Sequence, residues 1–235
     1  MIHAAVAEHK PNQITIGGRR FSKSVGGDPV GVVDGSLNMV IVNAAKLART
    51  YYKDMYDSEN PSAPTCWSSD TQKPSPDVPL EQKQAARCMD CVQNIRGSGE
   101  GGGRACRFSQ RLAIILEEQM DTVYQIRIPA TSIFGRPENG NMGVQAYAKY
   151  LQKHKTPSIA VVTQMYFDNS VDMPKLFFKA VRALDEQELE VALKQKDSPA
   201  ASTAALQTMV MQDKTTVDKS PFAEVDGFEY NKGED

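Results

Sequence analysis

The chain is organised around three segments of one stretch: CWSSD at 66–70, CMDC at 88–91 and GGGRACR at 101–107. They hold the four cysteines of the protein, Cys66, Cys88, Cys91 and Cys106, with the spacing C-x21-C-x2-C-x14-C. A C-x2-C pair turns two thiolates toward one point, and two further cysteines complete a tetrahedral shell. The spacing therefore predicts a structural Zn²⁺ site whose ligands are these four cysteines.

Four thiolate ligands leave no open coordination position, so such a metal would stabilise the loop without catalysing a reaction. Two other interpretations of the cysteines stay open at this point. They are ordinary buried or free thiols, or the ligands of an iron–sulfur cluster. The remaining sequence shows no nucleophile motif and no phosphate-binding loop, so we expect a protein that is not an enzyme.

Charge divides the chain into a basic body and an acidic C-terminal part. Residues 1–184 carry 22 Lys and Arg against 17 Asp and Glu, whereas residues 185–235 carry 5 against 12. A basic body attracts polyanions, and an acidic tail can occupy the same surface or recruit partners. The chain has no signal-peptide pattern and no apolar run near the roughly 20 residues that cross a bilayer. We therefore expect a cytoplasmic protein without membrane contact.

Hydrophobic patterns along the chain favour strands over helices. Apolar strands are predicted at 37–42, 112–116, 122–129, 159–167 and 175–183, and residues 44–52 fit either a strand or a helix. One helix is predicted from about Gly143, and a second begins after Asp185 with Glu188 in a capping-box position.

This order predicts a mainly β fold, a small OB-fold-like β-barrel with one or two helices; a β-rich α+β domain is the alternative. The predicted domain covers 1–196 and includes a Cys-rich, zinc-binding insertion at 57–111. The chain changes character at Asp197: residues 198–205 are small and are predicted to form a linker, and the segment after them is polar, acidic and expected to be disordered. The second predicted unit, linker and tail, is 197–235.

Basic and aromatic side chains are concentrated in and around the insertion. Such a surface can bind the phosphates of a nucleic acid through its basic groups and stack the bases on its aromatic rings. Single-stranded nucleic acid is held by a basic groove and by stacking worth about 1–3 kcal/mol per base. The candidate DNA-binding residues are Tyr52, Lys53, Trp67, Arg87, Arg96, Arg104, Arg107, Phe108, Arg111 and Arg127.

The three cysteine segments, with RLAII at 111–115, resemble tailed-phage single-stranded-DNA-binding proteins of the OB-fold type. IPATS at 128–132 and the helix with Tyr147 and Leu151 are also similar to that group, so the resemblance covers roughly residues 20–195. It implies coating of single-stranded DNA with little sequence preference during phage replication, repair and recombination. For a phage protein the compartment would be the host cell cytoplasm.

The resemblance also implies an acidic tail that contacts replication or recombination proteins or competes with DNA. Candidate contacts in the tail are Phe222, Phe228, Tyr230, Glu234 and Asp235. Two alternative functions stay open. One is a metal- or iron–sulfur-dependent nuclease, and the other is a zinc-stapled adaptor that binds proteins.

Overall fold

The computed structural model describes residues 11–54, 62–171 and 173–206. In these ranges the protein is mainly β, and its nine strands form a sheet that curls into a half-barrel. The strands are β1 (Gln13–Gly17), β2 (Arg20–Val25), β3 (Asp28–Asp34), β4 (Ser36–Tyr51), β5 (Cys66–Ser68), β6 (Arg107–Leu116), β7 (Gln119–Pro129), β8 (Val161–Phe167) and β9 (Leu176–Ala183). The helices are α1 (Ala130–Ile133), α2 (Val144–Lys153), α3 (Glu186–Lys196) and α4 (Pro199–Ala205).

The strand order across the sheet is β3-β2-β1-β7-β6-β4-β8-β9, and β5 pairs with the end of β4. Neighbouring strands are antiparallel except β1 and β7, which are parallel. The predicted strands and the β6–β7 hairpin are confirmed. No helix in the described ranges is both long enough and apolar enough to span a membrane.

Strand β4 is the longest element and connects the two halves of the sheet. The pairing of β4 with β6 is interrupted by register shifts between Ile41 and Asn43 and between Ala44 and Leu47. Such bulges bend a strand and increase its twist. Its first residues therefore pair with β8, while its last three pair with β5. This settles the ambiguous segment 44–52, which continues the strand to Tyr51.

One face of the sheet encloses the main hydrophobic core. The apolar residues at alternate positions of β4, β6 and β7 point to this side, as the period of 2 in a strand requires. Helix α2 covers it with Val144, Tyr147 and Leu151, the stripe that its helical spacing predicts. The hydroxyl of Tyr147 is buried in this core and has a hydrogen-bond partner, because it lies 2.7 Å from Oγ1 of Thr163.

A second, smaller core lies on the other face, under α3 and α4. It joins sheet residues such as Val40 and Ile115 to Ala192, Ala201 and Ala204 of the two helices. Helix α3 begins with the predicted capping box: the Asp185 carboxylate accepts from the Glu188 backbone N–H at 2.8 Å.

The linker prediction for 198–205 is wrong, because Pro199–Ala205 form α4 and Ser198 is its N-cap. Ser198 caps the helix by accepting from the Ala201 N–H at 3.1 Å, and Pro199 occupies the first turn, where it loses no hydrogen bond. Small alanine side chains let the helix lie close to the sheet, and that tertiary packing overrides the linker-like composition. Helix α4, which follows the predicted boundary at 196, packs on the sheet.

Candidate cysteine centre and nucleic-acid face

The cysteine segment connects β4 to β6 through β5 and four short 3₁₀ turns. The turns are Leu80–Gln82, Cys88–Asp90, Val92–Asn94 and Glu100–Gly102. Backbone hydrogen bonds fasten distant parts of the segment to each other: Cys88 N–H to the Gln72 carbonyl, and Cys106 N–H to the Gln93 carbonyl, both at 2.8 Å. Because β6 already begins at Arg107, the last residues of the predicted insertion 57–111 belong to the sheet.

The four cysteines border one small cavity. It has a volume of about 20 Å³, and its wall also includes Arg49 and Trp67. Cys66, Cys88 and Cys91 are buried and Cys106 is partly buried, and none forms a disulfide. The fold therefore brings together thiols that are up to 40 positions apart in the sequence.

The side chains around this cavity do not form a closed coordination shell. Among the residues that the structure describes, no three His, Cys, Asp or Glu side chains are arranged as a set that could hold a metal ion. The zinc prediction thus stays a prediction, supported by the common cavity and the donor chemistry of four thiols.

Burial controls the protonation of the thiols. It raises the pKa of Cys106 to about 12, although the nearby Arg49 guanidinium acts in the opposite direction. Burial also raises the pKa of Cys66 and of Cys88, while hydrogen bonds from the Gln84 backbone and the Ser68 side chain partly offset the two increases. Without a metal the three thiols are neutral at pH 7, and a bound dication would instead favour their thiolates.

Arg49 is a site residue that the sequence did not reveal. Its guanidinium lies 4.0 Å from the Phe108 ring centroid and donates to the Asn94 side-chain oxygen. Burial lowers the pKa of Arg49, and the nearby Cys106 sulfur counteracts this. In the sequence Arg49 lies in the segment that fits a strand or a helix, so only the register of β4 shows which residues it contacts.

The strand register places the predicted Trp67 and Arg107 in one row. Thr50 on β4 is paired with Trp67 on one side and with Arg107 on the other. Residues directly opposite each other in antiparallel strands project to the same face. Farther along β6, Arg111 is on this face too, and it is paired with Arg127 on β7. We call the surface formed by Trp67, Arg107, Arg111 and Arg127 the arginine face.

Arg111 is the covered member of the arginine face. It is only 7% exposed, and its guanidinium donates to the Leu206 carbonyl just after α4, while Gln125 donates to the Ala204 carbonyl at 3.0 Å. Burial, with a smaller contribution from Arg127, lowers the pKa of Arg111 to about 10, so it is still charged at pH 7. In this arrangement Arg111 holds α4 in place and offers no open surface to DNA.

Side chains on the other face of the same strands also border the cysteine cavity. Arg49 is paired with Ser68 on β5 and with Phe108 on β6. The Phe108 ring packs edge-on against Phe134, with centroids 5.0 Å apart. Phe108 therefore packs against Arg49 and Phe134 on the face away from Trp67, a place that differs from its predicted role as a stacking platform.

The predicted basic residues of the insertion lie around the rim of the cysteine segment. Arg87 is exposed and forms an ion pair with Asp90 at 2.6 Å, and Arg104 is exposed and donates from Nε to the Asn94 carbonyl at 2.8 Å. Arg96 is exposed as well. Lys53 is exposed just after β4, where its backbone N–H donates to the Thr65 hydroxyl at 3.0 Å, and Tyr52 beside it is half-buried.

A second aromatic and basic cluster, which the sequence did not single out, lies on β8 and β9. The rings of Tyr166 and Phe177 are 5.9 Å apart. The Lys175 ammonium lies 4.9 Å from the Phe177 centroid, and that of Lys179 lies 5.4 Å from the Tyr166 centroid. The only sequence signal for this cluster is the alternation of polar and apolar residues in two consecutive strand segments. That alternation predicts a hairpin, and a hairpin brings side chains of the two strands together.

The predicted tail contacts, Phe222, Phe228, Tyr230, Glu234 and Asp235, lie outside the described residues. No family model, curated protein or solved structure matches this chain.

Proposed function

We propose that this protein is a non-enzymatic single-stranded-DNA-binding protein. The observation that carries the proposal is the row of Trp67 and Arg107 across β5, β4 and β6, with Arg127 on the neighbouring strand of the same face. An aromatic ring beside guanidinium groups offers one partner for a base and others for the phosphates. Arg96 and Arg104 of the cysteine segment are also exposed and add positive charge to the protein surface.

The order of the sheet supports an OB-type barrel within this fold. A bent first strand, β4, is followed by β6 and β7, then by the helix α2, and then by the β8–β9 hairpin. Strand β4 pairs with both β6 and β8, as the shared first strand of a Greek-key barrel does. The half-barrel differs from a closed OB-type barrel at its open side, because β1 rather than β9 lies next to β7.

In an OB-fold, oligonucleotides bind across the second and third strands and the loop between the first two strands. Here the corresponding strands are β6 and β7, and the corresponding loop is the cysteine segment. Arg107, Arg111 and Arg127 of the arginine face are on these two strands, and Trp67 is on β5. Helices α3 and α4 cover the middle of this face, so the proposed binding surface is limited to Trp67, Arg107 and Arg127.

Zinc is the proposed cofactor, bound by Cys66, Cys88, Cys91 and Cys106. The donor chemistry suits the ion, because four thiols border one cavity and thiolates are preferred ligands of Zn²⁺. The metal would supply no reaction chemistry. It would hold the loop in one conformation, so that its arginines lose less conformational entropy when DNA binds.

The tail proposal draws support from the position where the described chain ends. Leu206 accepts a hydrogen bond from Arg111, so the described part of the chain ends beside the arginine face, and residues 207–235 follow it in the sequence. These residues carry seven Asp and Glu against three Lys and Arg. We propose that the tail competes with DNA for this face and, when DNA displaces it, contacts replication or recombination proteins in the host cytoplasm.

One observation favours the adaptor as a second candidate function. Large apolar side chains of the cysteine segment are exposed, namely Leu80, Met89, Val92 and Ile95. Exposed apolar surface, where it is contiguous, is typical of protein-interaction sites. A protein that folds and holds metal but ignores DNA would support this candidate.

A mobility-shift titration with single- and double-stranded oligonucleotides tests the main proposal. We expect preferential binding of the single strand and no cleavage when Mg²⁺ or Mn²⁺ is added. Arg107→Gln and Arg127→Gln should each weaken binding, whereas Arg20→Gln, a control on β2 that removes an exposed ion pair with Asp34, should not. Equal affinity of all three variants would contradict the assignment of the arginine face, and cleavage would favour the nuclease.

A further inference from the structure

We propose that the cysteine centre holds a single metal ion and that Arg49 is its charge-compensating residue, which joins the metal-bound loop to the sheet. The inference rests on the zinc part of the proposed function and deepens it. It specifies the nuclearity of the centre and adds a residue that is not a ligand.

The size of the cavity limits what it can hold. A volume of about 20 Å³ accommodates one water-sized sphere, and a single ion with short bonds to sulfur fits such a space. An iron–sulfur cluster adds several irons and bridging sulfides within the same four cysteines and needs far more room. The free space between the thiols is therefore closer in size to one ion than to a cluster.

Charge explains why a guanidinium borders the site. A dication bound by four thiolates has a net charge of about −2, and burying such a charge without a counter-charge is costly. Arg49 is the cationic residue among those that line the cavity. Its positive charge halves the net charge of the centre.

An unsatisfied hydrogen-bond donor gives independent support. Among the described residues, Nε of Arg49 is the buried side-chain nitrogen or oxygen that lacks a hydrogen-bond partner. Leaving such a group unpaired in the interior destabilises the folded protein. Thiolate sulfur is a better acceptor than a thiol, so forming the metal centre would give this N–H a partner. Groups outside the coordination shell commonly stabilise metal sites in this manner.

The remaining contacts of Arg49 show how the centre would be coupled to the sheet. Arg49 belongs to β4, its guanidinium reaches Asn94 just after the C-x2-C pair, and it stacks on Phe108 of β6. Three parts of the chain therefore meet at one side chain. Removing it should weaken the metal site and release the loop that carries the proposed DNA-binding arginines.

The test measures metal affinity on the full chain. Wild-type protein should contain one zinc per chain, and its Co²⁺-substituted form should show the visible absorption of a tetrathiolate site. In competition with a chromophoric chelator, Arg49→Met should weaken Zn²⁺ binding roughly 10- to 100-fold, the range seen for residues that support metal ligands. Arg49→Lys, which keeps the charge but lacks Nε, should lose less. Arg104→Gln is the control, because Arg104 lies on the same loop but does not border the cavity.

Each result has a separate meaning. Equal Zn²⁺ affinity of wild type and both Arg49 variants would overturn the role of Arg49 and leave zinc binding intact. Iron and sulfide with absorption near that of a cluster would overturn the mononuclear centre. A wild-type protein that neither contains nor takes up Zn²⁺ or Co²⁺ would refute the zinc proposal and this inference together, while DNA binding is judged by its own titration. If Arg49→Met does not fold, the comparison of Arg49→Lys with Arg104→Gln decides the outcome.

Discussion

Replacing Trp67 by alanine should weaken binding of single-stranded DNA without unfolding the protein. Trp67 is half-buried on the short edge strand β5, next to Thr50 and in one row with Arg107. Stacking of one base on an aromatic ring contributes about 1–3 kcal/mol, which corresponds to a loss of roughly 5- to 150-fold in affinity. Trp67→Phe keeps a ring and should retain most of the affinity.

The assay uses a property of the sequence, since Trp67 is the single tryptophan of the chain. Intrinsic fluorescence excited at the tryptophan band therefore reports on this side chain alone, and titration with oligo-dT should quench it. Polarisation of a labelled oligonucleotide gives the affinities of wild type, Trp67→Ala and Trp67→Phe, and thermal melts check that each variant is folded.

Salt dependence separates stacking from charge. Each phosphate contact contributes about 0.7 to the slope of log K against log salt for a single strand. Trp67→Ala should keep the wild-type slope because it removes no phosphate contact, whereas Arg107→Gln should reduce the slope by about that amount. A folded Trp67→Ala protein with wild-type affinity, or unquenched wild-type fluorescence, would refute the placement of a base on Trp67.

Three further predictions concern the tail, the metal and the α3 cap. Deleting residues 213–235 should preserve the melting temperature and tighten DNA binding, and unchanged affinity would remove the competition proposal. Treatment with a strong chelator should lower the melting temperature and the DNA affinity, and restored Zn²⁺ but not Mg²⁺ should reverse both; indifference to chelation would count against zinc. The Arg182 ion pair and the Asp185 backbone N–H lower the pKa of Glu188 to about 2, so its contribution to stability is complete above the ordinary pKa near 4.5 and is lost as the pH falls toward 2. In Glu188→Gln the free energy of unfolding, measured by urea unfolding at several pH values, should therefore fall less between pH 4.5 and pH 2 than in the wild type. An unchanged pH dependence would show that the Glu188–Arg182 ion pair contributes nothing to stability.

Much of the fold could be predicted because its signals are local. Alternation over residues 122–129 defines a half-buried strand, and the Val144, Tyr147 and Leu151 spacing defines one face of a helix. The capping box of α3 needs only two residues three positions apart. The mainly β class followed from counting such segments. Helix α4 escaped prediction because its small residues become helical through packing on the sheet.

The candidate site was predictable only in part. The C-x2-C pair and the spacing of the outer cysteines indicated that four thiols would meet, and they border one cavity. Arg49 could not be found this way, since its role depends on a register that two bulges displace. Arg111 was chosen for its charge alone, yet α4 covers it.

The sequence by itself determined where the strands and the major helices form, since hydrophobic period and capping act within a few residues of the chain. It also supplied the chemistry of the site, namely thiols, guanidinium groups and one tryptophan. Only the tertiary structure decided which of these residues share a face: strand pairing puts Trp67 in a row with Arg107 and turns Arg49 toward the cysteines. A shift of one residue in that register would exchange the two faces, and no local pattern in the sequence encodes it.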